Sequence, residues 1–239
     1  MNQNISSGGI NNNSMSNINK ANEVSRPQEK HTISYPALFW LFMFGSVIGF
    51  VLEGLLVLIR IGVWENHSAT VWGPFCIIYG FGADAMYLGC TLMRNKNIPL
   101  QFFFFAVAGT VVEFFGSLIQ EAVFHSRSWD YSEYPGNIGG RVTPHMTLAW
   151  GILGLLFVRL VYPLIERVYP KMRGRAWNIA CAVLSVYMAV NLIVSGIAVF
   201  RWGQRQSGAT ATNRVEEIID TQFNDEYMQS VYCNLNFSG

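Results

Sequence analysis

The sequence predicts an all-α protein: a polytopic bundle of about five transmembrane helices, preceded by a disordered N-terminal tail. Three observations lead to this prediction. Apolar residues make up 51% of the 239 residues and charged residues only 13%, whereas a soluble domain carries about 25% charged residues. The apolar residues are gathered into five long runs, and three of these runs contain a glycine followed four residues later by a carboxylate.

The chain divides into three predicted segments. Residues 1–34 are rich in Asn and Ser, so they bury too little apolar surface to offset chain entropy and are expected to be disordered. Residues 35–202 are the transmembrane helical domain, and residues 203–239 are a polar C-terminal tail. Within that tail, residues 215–228 are either a short amphipathic helix or a disordered stretch.

The apolar runs define the predicted spans, and each meets the ~20 residues that a spanning helix requires. Pro36, Pro99 and Pro144 open the first, third and fourth runs, where the missing amide donor costs little. Five crossings put the two termini on opposite sides, and the distribution of Lys and Arg places the N-terminus in the cytoplasm. The expected localisation is therefore the cell membrane, as a multi-pass protein. The runs cover residues 36–61, 71–93, 98–124, 145–166 and 176–201.

The glycine and carboxylate pairs mark the interior of the bundle. They are Gly49 with Glu53, Gly80 with Asp84, and Gly109 with Glu113. A charged side chain at the bilayer centre costs roughly 2.5 to 3.5 kcal/mol, so these acids are expected to face one another rather than lipid. A glycine one turn away lets a neighbouring helix approach closely. The alternative is purely structural: each acid is protonated or hydrogen-bonded to a neighbouring helix and fixes the packing.

The third run continues this polar face to Glu121 and then enters the loop of residues 125–144. Glycines and prolines in the loop provide tight turns, so the loop is expected to fold back over the bundle as a lid. Arg141 is expected either to pair with Asp130 or to reach a carboxylate below, Glu113 or Glu121, because a guanidinium can engage both carboxylate oxygens at once.

These features give a set of candidate substrate-binding residues and no catalytic residue. Glu121 and His125 have metal-compatible spacing, but only as a pair, and the four cysteines lack metal-ligand spacing, so no metal site and no cofactor are expected. A net charge of +1 without a basic cluster argues against a nucleic-acid partner. The candidate residues are Glu53, Asp84, Glu113, Glu121, Asp130, Asn137 and Arg141.

Short elements spaced along residues 39–167 form a recognisable pattern. They are the stretch 49–54 with Glu53, GPF at 73–75, YGFG at 79–82, Glu113, the run Trp129, Asp130, Tyr131 and Ser132, then Asn137, Gly140, Arg141 and Val142, and finally Trp150, Gly151, Gly154 and Leu155. This pattern resembles the family named "putative ABC-transporter type IV", also called the CmpB family, of bacterial integral membrane proteins. Ile77 stands where a proline often follows GPF, and residues 65–70 lack the family's usual Arg-Gly pair.

Three functions stay open on this evidence. The first is a transporter or permease component that binds a small solute or a cation, which is what the resemblance implies. Because the chain has no GxxxxGK[ST] element, that reading implies that a separate subunit binds ATP. The second is a membrane assembly or scaffold protein, and the third is an enzyme acting on a lipid or lipid-linked substrate. The enzyme ranks last, since no nucleophile or metal pattern is recognisable. The expected surroundings are the lipid bilayer, and a homo-oligomer is compatible with all three.

Overall fold

The computed structural model describes residues 33–237 and has the all-α architecture predicted from the sequence. Five apolar helices form its membrane part, and four of them are long and apolar enough to cross a bilayer. The predicted disorder of residues 1–32 lies outside the described residues. The elements, in chain order, are α1 Tyr35–Ile61, α2 Ile77–Met93, α3 Ile98–Phe124, β1 Ser126–Arg127, α4 Pro144–Leu156, α5 Tyr162–Val168, α6 Arg175–Gln206, α7 Arg214–Gln222, α8 Asp225–Val231 and β2 Asn236–Phe237.

The fourth span combines α4 and α5 into one apolar rod, Pro144–Met172. A π-helical turn, Phe157–Val161, joins the two helices, and a 3₁₀ turn, Tyr169–Met172, ends the rod. The π turn comes directly before Pro163, which has no amide hydrogen to donate to the preceding turn. A local π adjustment of this kind is how transmembrane helices tolerate proline.

Prolines and capping residues set the starts of three spans. Pro36, Pro99 and Pro144 each lie in the first turn of their helix, as predicted. The side chains of Asn97 and Thr143 accept hydrogen bonds from amides three residues later, at the starts of α3 and α4. These caps satisfy donors that would otherwise be unpaired at a helix N-terminus.

The outward faces of the helices are strongly apolar, which fits a lipid environment. Ile59 on α1, Phe103 on α3 and Val186 on α6 are 81%, 67% and 65% exposed within the structure. Between the helices, α1 packs against α2 and α3 packs against α4. Phe105 and Trp150 are buried in the cluster between α3 and α4.

The second span differs from its prediction, because the helix begins at Ile77 rather than at residue 71. Gly73 has a φ of +86° and is followed by Pro74, and neither residue continues a helix. Helix α2 has 17 residues and α1 has 27, which correspond to about 26 Å and about 40 Å. Residues 71–76, which precede α2, are apolar but not helical.

This non-helical segment, residues 71–76, is held by polar side chains near the middle of α6. The Val71 amide donates to Ser195 Oγ (2.9 Å), and the Trp72 amide donates to Asn191 Oδ1 (3.3 Å). The Asn191 side-chain amide donates in return to the Trp72 carbonyl (2.7 Å). Non-helical backbone at membrane depth needs such partners, so these two α6 residues stabilise the shortened second span.

Residues 207–237, here called the C-terminal segment, are folded onto the end of α6. Of the two alternatives for this region, the structure has the helical one, as α7 and α8. Arg201 donates to both carboxylate oxygens of Asp220 (2.9 and 2.8 Å), and Arg205 donates to Asp225 (2.8 Å). The hydrogen bonds from Arg201, followed by those from Arg205, hold the pKa of Asp220 below its usual range. Met228 is fully buried in a hydrophobic cluster between the C-terminal segment and the end of α6.

The C-terminal segment contacts the loops that follow α1 and α3. Strand β2 pairs antiparallel with β1, and the Tyr227 hydroxyl donates to the Val71 carbonyl (2.7 Å). At the opposite end of the bundle, Arg94 pairs with Glu166 (2.9 Å). The two long loops and the C-terminal segment therefore lie at the same end of the bundle, which is the arrangement that five crossings predict.

This arrangement predicts which engineered cysteines an impermeant thiol reagent reaches in intact cells. In a Cys233→Ser background, Thr210→Cys and Glu133→Cys should be labelled from outside, because both positions are exposed and lie on the shared side. Lys96→Cys should be labelled only after the cells are opened. Cys76, Cys90 and Cys181 remain in every variant and are buried. Their labelling in the Cys233→Ser protein therefore sets the background signal. Labelling of Thr210→Cys and Glu133→Cys from opposite sides would contradict the five-span arrangement.

Candidate functional site

The acid of α1, Glu53, is held by a tyrosine that sits on its partner glycine. The Tyr79 hydroxyl, on α2, donates to Glu53 Oε1 (2.5 Å). A Cβ added at Gly49 would lie only 2.3 Å from the Tyr79 Cβ, so only glycine leaves room for this side chain. Gly49 thus leaves room for the Tyr79 ring, and Glu53, one turn later, accepts a hydrogen bond from the Tyr79 hydroxyl.

The acid of α3, Glu113, repeats this arrangement with a tryptophan. Trp150 Nε1, on α4, donates to Glu113 Oε2 (2.9 Å). A Cβ added at Gly109 would lie 2.3 Å from Trp150 Cγ. Glu113 is only 4% exposed. The glycine therefore has a more specific task than the close helix approach expected from the sequence: it positions a hydrogen-bond donor for the carboxylate.

The third pair, Gly80 and Asp84, lacks this donor. Gly80 packs against Phe42 and Ser46 of α1, and the aromatic ring of Phe42 carries no polar atom. Asp84 Oδ1 is buried and has no hydrogen-bond partner among the described residues. The structure therefore does not join Asp84 to the other two acids by any hydrogen bond within residues 33–237.

Tyr131, from the loop after α3, contacts the acid of α3. Its hydroxyl donates to Glu113 Oε1 (3.2 Å). Burial, followed by the charges of Glu113 and Glu53, raises the pKa of Tyr131 above its ordinary value, so the hydroxyl stays protonated and remains a donor. Glu53 and Glu113, which were expected to approach one another, have separate hydrogen-bond partners in the described residues: Tyr79 for Glu53, and Tyr131 with Trp150 for Glu113. Glu113 and Trp150 are buried, whereas Glu53, Tyr79 and Tyr131 are half-buried. We call these five residues, which form two hydrogen-bonded groups, the buried network.

A second, ionic contact lies nearer the membrane surface. Arg141 binds Glu121 and also donates to Ser117 Oγ (3.1 Å). Arg127 donates to both oxygens of Glu121 (2.8 and 3.0 Å). Glu121 lies eight residues beyond Glu113 on α3, about 12 Å closer to the loop side. Of the alternatives for Arg141, the structure has the contact with a carboxylate below and not the pair with Asp130.

The remaining two candidate residues build the loop itself. Asp130 Oδ1 accepts hydrogen bonds from the amide and the hydroxyl of Ser132, and these bonds lower the pKa of Asp130. Asn137 donates to the carbonyls of Ser132 and Tyr134 and accepts from the Gly140 amide. The structure therefore places Asp130 and Asn137 in the turns of the loop, apart from the buried network.

Glu113 is closed off in this conformation, because it is 4% exposed and its two carboxylate oxygens are bound by Tyr131 and Trp150. Two surface clefts, of about 370 and 460 Å³, lie beside the C-terminal segment, and none of the candidate acids lines either of them. A solute that approaches from the loop side meets Tyr131 before Glu113. Access to Glu113 from this side therefore requires Tyr131 to move.

The sequence analysis included Tyr79, Tyr131 and Trp150 in the family pattern but not among the candidate site residues, and it did not single out Arg127. Tyr79 and Trp150 are two of many aromatic residues in a chain that is 14% aromatic, so their type alone carried no signal. A signal did exist in the glycines before Glu53 and Glu113, since the gap that each leaves one turn before its acid accommodates an aromatic residue with a polar tip on the facing helix. Arg127 lies three residues after the end of α3, and no sequence motif marks it as a site residue.

Comparison with protein families gives one match. The model of the family described as "Putative ABC-transporter type IV" matches residues 40–196, which is more than half of the chain. The matched range contains the whole of the buried network and the loop above it. Comparisons with curated proteins and with solved structures found no match.

Glycine substitutions should distinguish two roles of these glycines: room for a specific aromatic ring, and close packing of helices in general. Gly49→Ala and Gly109→Ala should each destabilise the protein by about 1–3 kcal/mol, because the new methyl group collides with Tyr79 or Trp150. Gly196→Ala is the matched control, since its methyl group would meet only a ring atom at 3.7 Å. Thermal unfolding in detergent measures the three effects. Equal effects at all three positions would show that the aromatic side chains are not seated by glycine.

The Arg141–Glu121 contact predicts a non-additive double-mutant cycle. Arg141→Lys should be nearly as damaging as Arg141→Ala, because lysine cannot reproduce the planar fork that reaches Ser117 and Glu121 together. Combining Arg141→Ala with Glu121→Gln should lower thermal stability less than the two separate losses added. Arg127→Ala serves as the comparison, because it removes the other arginine from the same acid. Strict additivity would mean that Arg141 and Glu121 act independently.

Proposed function

Because the chain belongs to the "putative ABC-transporter type IV" family, we propose that it is the membrane-embedded component of a transporter in the cell membrane. In this proposal, Glu53 and Glu113 bind a cation or the cationic group of a small solute. The helices that could cross a membrane support the membrane part of this proposal. The charge balance around the acids supports the binding part.

One contrast carries the proposal. Glu121 is compensated by two arginines, whereas the hydrogen bonds to Glu53 and Glu113 in the described residues come only from neutral groups of tyrosine and tryptophan. An ionised carboxylate in a membrane interior is costly unless a positive charge accompanies it. A bound cation supplies that charge. The buried network is therefore complementary to a positively charged solute.

Binding requires the loop to open, since Tyr131 occupies one oxygen of Glu113. Opening breaks the Tyr131 hydrogen bond and the ion pair of Arg141 with Glu121. The solute then takes the place of the tyrosine hydroxyl and neutralises the acid. When the loop closes over the solute, water is excluded and the attraction between opposite charges strengthens.

The energy source is expected on another chain. The sequence has no phosphate-binding GxxxxGK[ST] element, so we propose a separate ATP-binding subunit as the partner. That partner would contact the side that carries the N-terminus, because the charge distribution places this side in the cytoplasm. The short connection around Arg94 and the turn after Tyr169 lie on this side.

Purification from native membranes tests both parts of the proposal. A tagged chain should copurify with an ATP-binding protein, and one member of a panel of inorganic cations and small amines should stimulate the ATPase activity. Glu53→Gln and Glu113→Gln should each reduce that stimulation at least about tenfold, because the amide keeps the shape but loses the charge. Glu133→Gln, on the exposed surface of the loop, is the matched control and should leave stimulation unchanged.

Two results would overturn the proposal in different ways. Copurification without any ATP-binding protein would remove the transporter assignment. Stimulation that survives the double replacement of Glu53 and Glu113 would remove the binding site and leave the two acids a packing role, as in a scaffold protein. Membrane insertion, checked by the cysteine labelling pattern, separates both results from a failure to fold.

A further inference from the structure

Three metal-ligating side chains meet where the C-terminal segment touches the first long loop. Glu65 and His67 come from the loop after α1, and Cys233 follows α8. One ligand atom from each residue, an oxygen, a ring nitrogen and the sulfur, lies within 4.8 Å of the others. We propose that these three residues bind a divalent zinc-like cation and that this cation fastens the C-terminal segment to the loop.

The backbone explains why the three side chains converge. Residue 67 forms an antiparallel bridge with Tyr232, which brings Cys233 beside the loop. In an extended segment, side chains two residues apart point to the same side, so Glu65 and His67 present their polar ends together. The Cys233 thiol, which donates to the Asn66 carbonyl (2.8 Å), lies against this same stretch.

The histidine provides a second, independent observation. His67 Nε2 is buried and has no hydrogen-bond partner among the described residues. It lies 3.5 Å from Glu65 Oε2, at the edge of hydrogen-bond distance and without suitable geometry. A buried imidazole nitrogen without a hydrogen bond costs free energy. A metal ion between the histidine and the carboxylate gives this nitrogen a partner.

The donor set indicates the class of ion. Thiolate, imidazole and carboxylate together suit zinc, with ligand distances of roughly 2.0–2.3 Å in a tetrahedral site. Small side-chain rotations bring atoms that are within 4.8 Å of one another into such a shell. Three protein ligands leave the fourth position for water. Magnesium and calcium are poor candidates, because they prefer oxygen ligands.

This site escaped the sequence pattern because its ligands are far apart in the chain. Glu65 and His67 precede Cys233 by more than 160 residues, while motif-based metal sites rely on close spacing. The site is also separate from the buried network, since none of its three residues contacts the acids of α1 and α3 in the described hydrogen bonds. It therefore does not depend on the proposed transport function.

Metal titration of the full chain in detergent tests the proposal. After treatment with a chelator, the wild-type protein should bind one equivalent of added zinc chloride, measured by competition with a chromogenic chelator. Cys233→Ser and His67→Ala should each weaken binding at least about tenfold, and Glu65→Gln should weaken it less. Cys181→Ser is the matched control, because this cysteine is buried among membrane helices.

Cobalt substitution gives a readout of the thiolate itself. The wild-type protein and Cys181→Ser should show the charge-transfer absorption of a cobalt–thiolate bond, and Cys233→Ser should not. Zinc should also protect Cys233 from alkylation. Absence of stoichiometric zinc binding by the wild-type protein would overturn the proposal, and so would a cobalt–thiolate absorption that survives Cys233→Ser.

Discussion

Much of the structure depends on one constraint: a polar group at membrane depth needs a partner within the protein, and Asp84, whose Oδ1 has none among the described residues, is an exception. Glu113 shows how this constraint shapes the bundle, because Trp150 can reach the carboxylate only where Gly109 leaves room for the ring. The same requirement explains why Asn191 and Ser195 occupy the middle of an otherwise apolar α6, where they satisfy non-helical backbone. The glycine that allows close packing is therefore also the residue that allows the acid to obtain its hydrogen-bond donor.

The hydrogen-bond donors to the acids of α3 are neutral at the deeper position and positively charged nearer the loop side. Glu113, in the middle of α3, receives hydrogen bonds only from neutral aromatic residues, whereas Glu121, about 12 Å nearer the loop side, receives them from two arginines. This order follows from solvation, since a guanidinium is far less costly near the interface than at the bilayer centre. The arrangement leaves Glu53 and Glu113 with hydrogen bonds from neutral groups and, among the described residues, with none from an arginine or lysine.

Much of the fold could be predicted from the sequence, because hydropathy and helix-start signals are local. Pro36, Pro99 and Pro144 mark helix starts, and the contact of Arg141 with an acid below follows from the turn residues around it. The start of α2 escaped prediction because residues 71–76 are apolar but not helical, and hydropathy does not distinguish the two. The docked C-terminal segment and the donors to the acids also escaped prediction, because they rest on contacts between residues far apart in the chain.

The loop above the network is fixed at both ends, and this determines which contacts can open. At its start, β1 pairs with β2 of the C-terminal segment, and at its end Thr143 caps α4. Arg127 belongs to the fixed strand, whereas Arg141 belongs to the part between the two anchors. When that middle part moves, Arg127 still compensates Glu121, so the surface acid is not left as an unpaired charge, which would be costly. No arginine or lysine hydrogen-bonds Glu113 among the described residues, so in the proposed open state the solute would supply the positive charge at this acid.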